Sequence, residues 1–453
     1  MSRQETLRIA SAAGFSGDRA DAAGPVVDAL VRAGGPACLI FETLAERTLA
    51  LAQLARREDP ARGYEPLLGE MLSPVLARCL RHGIRIVSNF GAANPVGAAL
   101  HIHRLCADQG LRAPRIAVIE GDDVSGEPHR PALREALPGL DGLALVSANA
   151  YIGAEAIADA LRAGADIVVA GRVADPSLTL GPALHHFGWA LDDWDRLAGA
   201  TMAGHLLECG TQVTGGYYAD PGLKDVPGLA RLGYPIAELH ADGGCVITKP
   251  EGTGGLVDRH TVTEQLLYEL HDPTAYITPD VVADIGAAEL DEIGPDRVRL
   301  RGVRGHPRPT HLKVNVCHES GWLAEGEVSY AGPRAEARAR LAAATVRERM
   351  GPDVSLRADL IGVASVWADD HGRWLADLPP GDARDVRLRL AMRHSDPARA
   401  RRLLNEVTAL YTCGPAGGGG IRTALRPTLG TLSCLLPRAQ VPTRFVMVEA
   451  AHA

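Results

Sequence analysis

Lysine is almost missing from this 453-residue sequence. Only Lys224, Lys249 and Lys313 are lysines among 47 basic residues, and the rest are arginine. A chain that drifts from lysine to arginine wherever charge alone matters marks its few remaining amines as candidates for chemistry that a planar, permanently charged guanidinium cannot do; chance retention is the other account. Aromatic residues reach only 4%, which does not favour a large adhesive interface. The eight cysteines, at 38, 79, 106, 209, 245, 317, 413 and 434, form no C-x-x-C pair. That spacing argues against a zinc ribbon or an iron–sulfur cluster and for reduced core thiols.

Other absences narrow the function further. No apolar run is long enough to span a bilayer, and "MSRQETLRIASAAG" lacks the basic segment and unbroken apolar core of a signal peptide. The expectation is a cytoplasmic protein without a membrane role. A net charge of −8 with no basic block interleaved with aromatics excludes a nucleic-acid partner. Neither G-x-G-x-x-G nor G-x-x-x-x-G-K-[ST] occurs, so dinucleotide and P-loop readings have no support. No cofactor and no metal are expected.

What is present is alternation. "LRIASAAG", "ACLIFE", "IRIVSNFG", "RIAVIEGDD", "LALVSANA" and "ADIVVAGR" read as strands. Between them lie helical stretches such as "VVDALVRAGG" (26–35), "LSPVLARCLRHG" (72–83) and "AEAIADALRAGA" (154–165). Strands and helices in this order predict an α/β fold, a mostly parallel sheet with helices on both faces. From about 297 the texture becomes paired strands broken by two helices, "RAEARARLAAATVRERM" and "ARARRLLNEVTALY". The expected division is therefore an α/β domain over 1–290, with the main site at its strand carboxyl ends, and a smaller α+β layer domain over 291–453 carrying a glycine-rich loop.

The strand ends hold the candidate chemistry. Ser16, Asp18 and Arg19 in "AGFSGDR" either shape an anion-binding turn or cap a helix. Glu42 follows a buried strand, where a carboxyl can be desolvated and made useful in proton transfer; Glu46 and Arg47 are first-turn helix residues of undecided orientation. Asn89 and Asn94 are candidates to steady an oxyanion. Asp122, next to Asp123, is a substrate-binding candidate, because two adjacent acids alone make no metal site. Arg172 and Asp175 suit bidentate recognition of an acid group, or a structural clamp. His205 and Glu208 share a helix face as an acid/base pair, although that spacing also recurs without function; Cys209 beside them reads as a core thiol. Lys249 is a catalytic candidate and Thr214 a binding one, both near glycine-rich turns.

"TCGPAGGGGIR" follows a helix, whereas a helix-dipole anion loop precedes one. Gly418, Gly419 and Arg422 are read instead as a lid or ligand-facing nest, with plain linker as the alternative.

Taken together, "AGFSGDR", "FETLAERTLALAQ", "NFGAANP", "AGRVADPSLTLGPALHHFGW", "AGHLLECGTQVTGGYYADPG", "ITKPEGTGGLV", "DPTAYITPDV" and "GPAGGGGIR" resemble the acyclic terpene utilisation AtuA family through nearly the whole chain. Ala10 and Ala12 stand where more glycine is expected, and the small ferredoxin-like tail of longer members is not seen. The resemblance implies a role in breaking down branched, isoprenoid-like acids as coenzyme A thioesters, beside biotin-dependent carboxylases, hydratases and dehydrogenases. Two classes of function follow as expectations. One is a cofactor-independent lyase or hydratase acting on a small acyl or carboxylate substrate, thioester or free acid, with Glu42 or His205/Glu208 moving the proton and Arg172 holding the acid group. The other is a non-catalytic accessory or assembly subunit of an acyl-CoA carboxylase pathway. A homo-oligomer, most simply a dimer, is expected in either case.

Overall fold

Side chains two residues apart share a face of a strand, and the central strands are apolar on both faces, as a sheet covered by helices on each side requires. The computed structural model describes residues 6–450. Its large sheet is built on β1 (Leu7–Ser11), β2 (Ala37–Phe41), β3 (Arg85–Ser88), β4 (Ile116–Glu120) and a sixth strand in chain order, Ile167–Val169. These five pair in parallel in the order β1, β2, β3, Ile167–Val169, β4. Antiparallel strands extend both edges: Ile236–Leu239, Cys245–Thr248, Arg297–Arg301 and Glu289–Gly294 beyond β1, and Arg444–Val448 beyond β4.

Ile9, Ile40, Val87, Ile119 and Val168 enter one core, with the helices Glu155–Arg162, Ser177–Phe187 and Trp194–Glu208. Ala10, Leu39, Phe41, Ile86 and Val118 enter the other, with Ala23–Ala33, Leu68–His82 and Pro95–Asp108. The mixed α/β architecture read from the sequence is present.

One strand departs from expectation. Leu145–Ala150, "LALVSANA", lies outside the parallel sheet and pairs with the long strand His311–Ala331. Both edges of β4 are already taken, by Ile167–Val169 and by Arg444–Val448, so no place beside it remains.

Chain contacts group residues up to Cys317 with those from Thr431 on, and His318–Gly430 as a second unit. The boundary expected at 290/291 falls instead inside the hairpin Glu289–Gly294/Arg297–Arg301, which joins the large sheet of the first unit. The second unit is an antiparallel sheet carrying the helices Ala335–Met350 and Pro397–Cys413, packed through Val328, Ala339, Val346, Leu388, Leu403 and Val407.

The glycine run belongs to this second unit. Gly417 and Gly420 have φ of +73° and +62°, a region that disfavours any side chain. A Cβ on Gly418 would press on the Tyr330 ring at 3.1–3.3 Å. Turn geometry and close packing thus account for three of the four consecutive glycines, and from Gly419 the chain is already a strand.

Candidate active site

The carboxyl ends of β1, β2 and Ile167–Val169 open onto one cavity of about 870 Å³ in the first unit. Each strand end supplies a part. After β1, Gly14, Phe15 and Asp18 form one wall; after β2, Glu42, Leu44 and Glu46 form the next; after Ile167–Val169 come Arg172 and Asp175. Glu208 and Cys209 arrive from the end of Trp194–Glu208, a helix buried without interruption from Leu197 to Glu208. Such a helix needs small residues for close approach. A Cβ on Gly204 would lie 2.8 Å from Pro176 Cα, and one on Gly199 would strike the Gly243 carbonyl oxygen.

Glu42 is buried, and its Oε1 accepts from the Leu44 amide at 2.8 Å and from Asn89 Nδ2 at 2.7 Å. Burial and the nearby Asp175 carboxylate push its pKa well above the ordinary range, against the opposing pull of Arg172 and these hydrogen bonds. Asp175 is likewise raised, by burial, with Arg172 opposing. Glu208 is raised by burial, and His205, whose Nδ1 stands 2.8 Å from Glu208 Oε1, opposes that shift. Burial works to lower the imidazole pKa, but Glu208 outweighs it and the net direction is up. Glu208 Oε2 and His205 Nε2 are buried with no hydrogen-bond partner among the described residues. The pair can therefore carry a proton and has an oxygen left over for a ligand.

Arg172 lies wholly inside the wall. Its backbone amide donates to Asp122 Oδ2 at 2.9 Å, Nε to the Val173 carbonyl at 2.8 Å, Nη1 to the Leu44 carbonyl, and Nη2 to Asp175. Its Cζ is 4.5 Å from the centre of the Tyr151 ring. Burial disfavours its charge, but Asp175, Tyr151 and Glu42 outweigh that and hold its pKa above the usual value. With these donors committed to the wall, the guanidinium organises the carboxylates; the expected fork onto a substrate acid group is already occupied.

The remaining sequence candidates fall into two groups. Asn89 stands behind Glu42 and Asp122 behind Arg172, where burial raises the Asp122 pKa to about 6. Asp18 is on the cavity wall, accepting from the Gly14 amide at 2.8 Å and from the Tyr234 hydroxyl. The others do not reach this cavity. Arg19 pairs with Asp21 at 2.9 Å. Asn94 caps Pro95–Asp108 through the Gly97 amide and donates to the carbonyls of Pro60 and Arg62. Thr214 donates to the Gly233 carbonyl at 2.7 Å. Lys249 is buried against Asp296 at 3.1 Å, and Ser16 lines a separate cavity of about 400 Å³. Gly418, Gly419 and Arg422 lie in the second unit and are not among the lining residues.

Tyr151, Glu269 and Tyr276 are among the lining residues that no sequence motif put forward, and Lys313, one of the three rare amines, lines the cavity with them. Glu46, left undecided from sequence, accepts from the Tyr151 hydroxyl and from Lys313 Nζ at 3.2 Å. Burial would raise its pKa, but these two donors prevail and lower it. Lysine scarcity is the signal that marks Lys313, while nothing in the sequence marks its partner. Cys209 is on the wall, where burial and the neighbouring acids push its thiol pKa up and disfavour the thiolate. Among the described residues, no group of three or more His, Cys, Asp or Glu side chains is arranged to hold a metal ion, and no helix is long and apolar enough to cross a membrane.

The family model described as acyclic terpene utilisation family protein AtuA matches residues 7–447. No curated protein and no solved structure matches the chain.

Proposed function

The chain belongs to the acyclic terpene utilisation AtuA family, and from that premise we propose that it is an enzyme of acyl-CoA or carboxylic acid metabolism, a lyase or hydratase that needs no redox cofactor and acts on a small branched or isoprenoid-like acyl substrate. The observation that supports this most is the pairing, on one cavity, of a carboxyl whose pKa burial raises, Glu42, with a carboxyl–imidazole couple, Glu208 and His205. Addition of water to a carbon–carbon double bond conjugated with a carbonyl requires one proton to leave water and one to reach the α-carbon. Glu208, backed by His205, takes the first as the hydroxyl bonds to the β-carbon, and Glu42 delivers the second. Elimination runs the same steps in reverse.

Lys313 Nζ lines the same cavity and keeps hydrogens beyond the one it gives Glu46, so it supplies a donor that can polarise the carbonyl oxygen. A cytoplasmic setting suits the eight unpaired thiols. A homo-oligomer, most simply a dimer, belongs to the same proposal, and native mass spectrometry should read two subunits.

The test is exchange of substrate α-hydrogens in D2O, followed by NMR over a panel of branched acyl thioesters and free acids. Glu42→Gln should fold as the parent does and lose about 10²-fold or more in exchange rate. Parent-like exchange in that variant removes Glu42 from the reaction. The accessory-subunit reading draws on Val366, Trp367 and Trp374, exposed in the second unit. Stoichiometric copurification with a biotin enzyme, with no exchange by the protein alone, would favour it over the lyase.

A further inference from the structure

Two features of the cavity are not used by the proton-transfer reading. The first is its charge. Among the described residues, six carboxyl groups line it, those of Asp18, Glu42, Glu46, Asp175, Glu208 and Glu269, against the cations Arg172 and Lys313. Each cation already has an internal carboxylate partner, Asp175 and Glu46 respectively. A ligand carboxylate entering this space would meet the Glu46 carboxylate, further acids on several sides and no cation without an internal partner, an unfavourable exchange for its hydration shell. An uncharged carbonyl group has no such cost and can accept from Lys313 Nζ, which keeps hydrogens beyond its bond to Glu46.

The second feature is the rim. Large apolar side chains are normally withdrawn from water, yet Phe15, Tyr217, Ile277 and Leu435 all border this cavity while being 58–90% exposed. They come from four separate segments of the first unit, so their gathering at one opening is a product of the fold. Tyr217 and Glu269 also hold φ of +58° and +57°, a backbone region costly for residues other than glycine. Strain of this kind persists where the surroundings impose it, and it concentrates at ligand sites. An apolar ring around an acidic interior matches a ligand with an uncharged polar head and an aliphatic body, the head inside and the body across the rim.

We propose that the cavity selects uncharged acyl derivatives over free carboxylates and seats their aliphatic chain on Phe15, Tyr217, Ile277 and Leu435. This rests on the reading of the cavity as a substrate site and adds the substrate class. The test is calorimetric titration at pH 8 with butanamide, octanamide and octanoate as probes. Octanamide should bind at least about tenfold more tightly than octanoate, and at least about tenfold more tightly than butanamide, since each buried methylene adds a further increment. Phe15→Ser combined with Leu435→Ser should cut the second ratio to about threefold or less.

Octanoate binding as tightly as octanamide, a chain-length ratio unchanged in the double variant, or no measurable octanamide binding would each overturn the proposal. The proton-transfer reading fails by a different readout. Tight octanamide binding without α-hydrogen exchange on any thioester or acid would remove that reaction and leave this selectivity standing.

Discussion

Arg172 and Asp175 form an ion pair whose cation is closed off from water and whose anion is a third exposed, with side-chain accessibilities of 1% and 33%. The carboxylate faces the cavity while the guanidinium is anchored in the wall behind it, so the pair fixes where negative charge stands and keeps the site rigid. Replacing the cation by an apolar residue strands Asp175 and leaves two carbonyls unpaired. Arg172→Met is expected to lower unfolding free energy by about 3–5 kcal/mol in urea titration. Arg172→Lys should recover only part, because one ammonium cannot serve Leu44, Val173 and Asp175 together. Equal stability of the Lys variant and the parent would show that charge alone matters there.

Asp122 links stability to pH. Its folded pKa of about 6 lies above the ordinary 3.8 because the carboxyl is buried. A raised acid binds its proton more tightly in the folded state, so its contribution is complete below about pH 4 and is lost as pH rises through about 6. The loss is on the order of 3 kcal/mol. Asp122→Asn cannot ionise and still offers an oxygen to the Arg172 amide, so it should flatten this part of the stability profile. Chemical denaturation at pH 4, 5, 6 and 7 compares the two slopes, and parallel profiles would exclude Asp122 as the source.

Gly14 is required by a close approach of two backbones. A Cβ there would collide with the Cys209 carbonyl carbon and stand 2.5 Å from the Gly210 amide nitrogen. Neither partner is the end of a flexible side chain. Gly14→Ala should therefore cost about 2–3 kcal/mol and force the 14–18 turn away from the end of Trp194–Glu208. Thermal unfolding measures the first effect, and a weakened titration of cavity ligands measures the second.

Lys249 has its ammonium nearly dry, 5% exposed, between Asp296 and the Thr253 carbonyl, each 3.1 Å away. Lys249→Ala leaves Asp296 without its partner and should destabilise by about 2–4 kcal/mol. Lys249→Arg should cost nearly as much, because a planar fork does not fit a space shaped for a compact ammonium. Parent-like melting of the Arg variant would show that the pocket has room to spare.

Much of the fold is local in origin and could be read locally. Five of the six apolar runs chosen from the sequence pair in one parallel sheet, because short buried β-branched strands separated by amphipathic helices have few other ways to cover both faces. Leu145–Ala150 has the same texture and a different place, since texture reports burial and says nothing of which edge is vacant. The candidates on β1, β2 and Ile167–Val169 that reach the cavity share the same logic: residues just past a parallel strand emerge at one edge.

By itself the sequence determined which residue types stand at strand ends, that Glu42 follows a buried strand, and that His205 and Glu208 share a helix face, since these depend only on periods of two and 3.6 residues. The tertiary structure alone decided the partners. Lys313 meets Glu46 across 267 positions of chain, and Tyr151 meets it across 105. Lys249, equally rare in type, is held instead by Asp296 in the wall of another region. No local pattern encodes such pairings, because the energy that sets them comes from burial and charge balance in three dimensions, and these exist only once distant strands have been brought together.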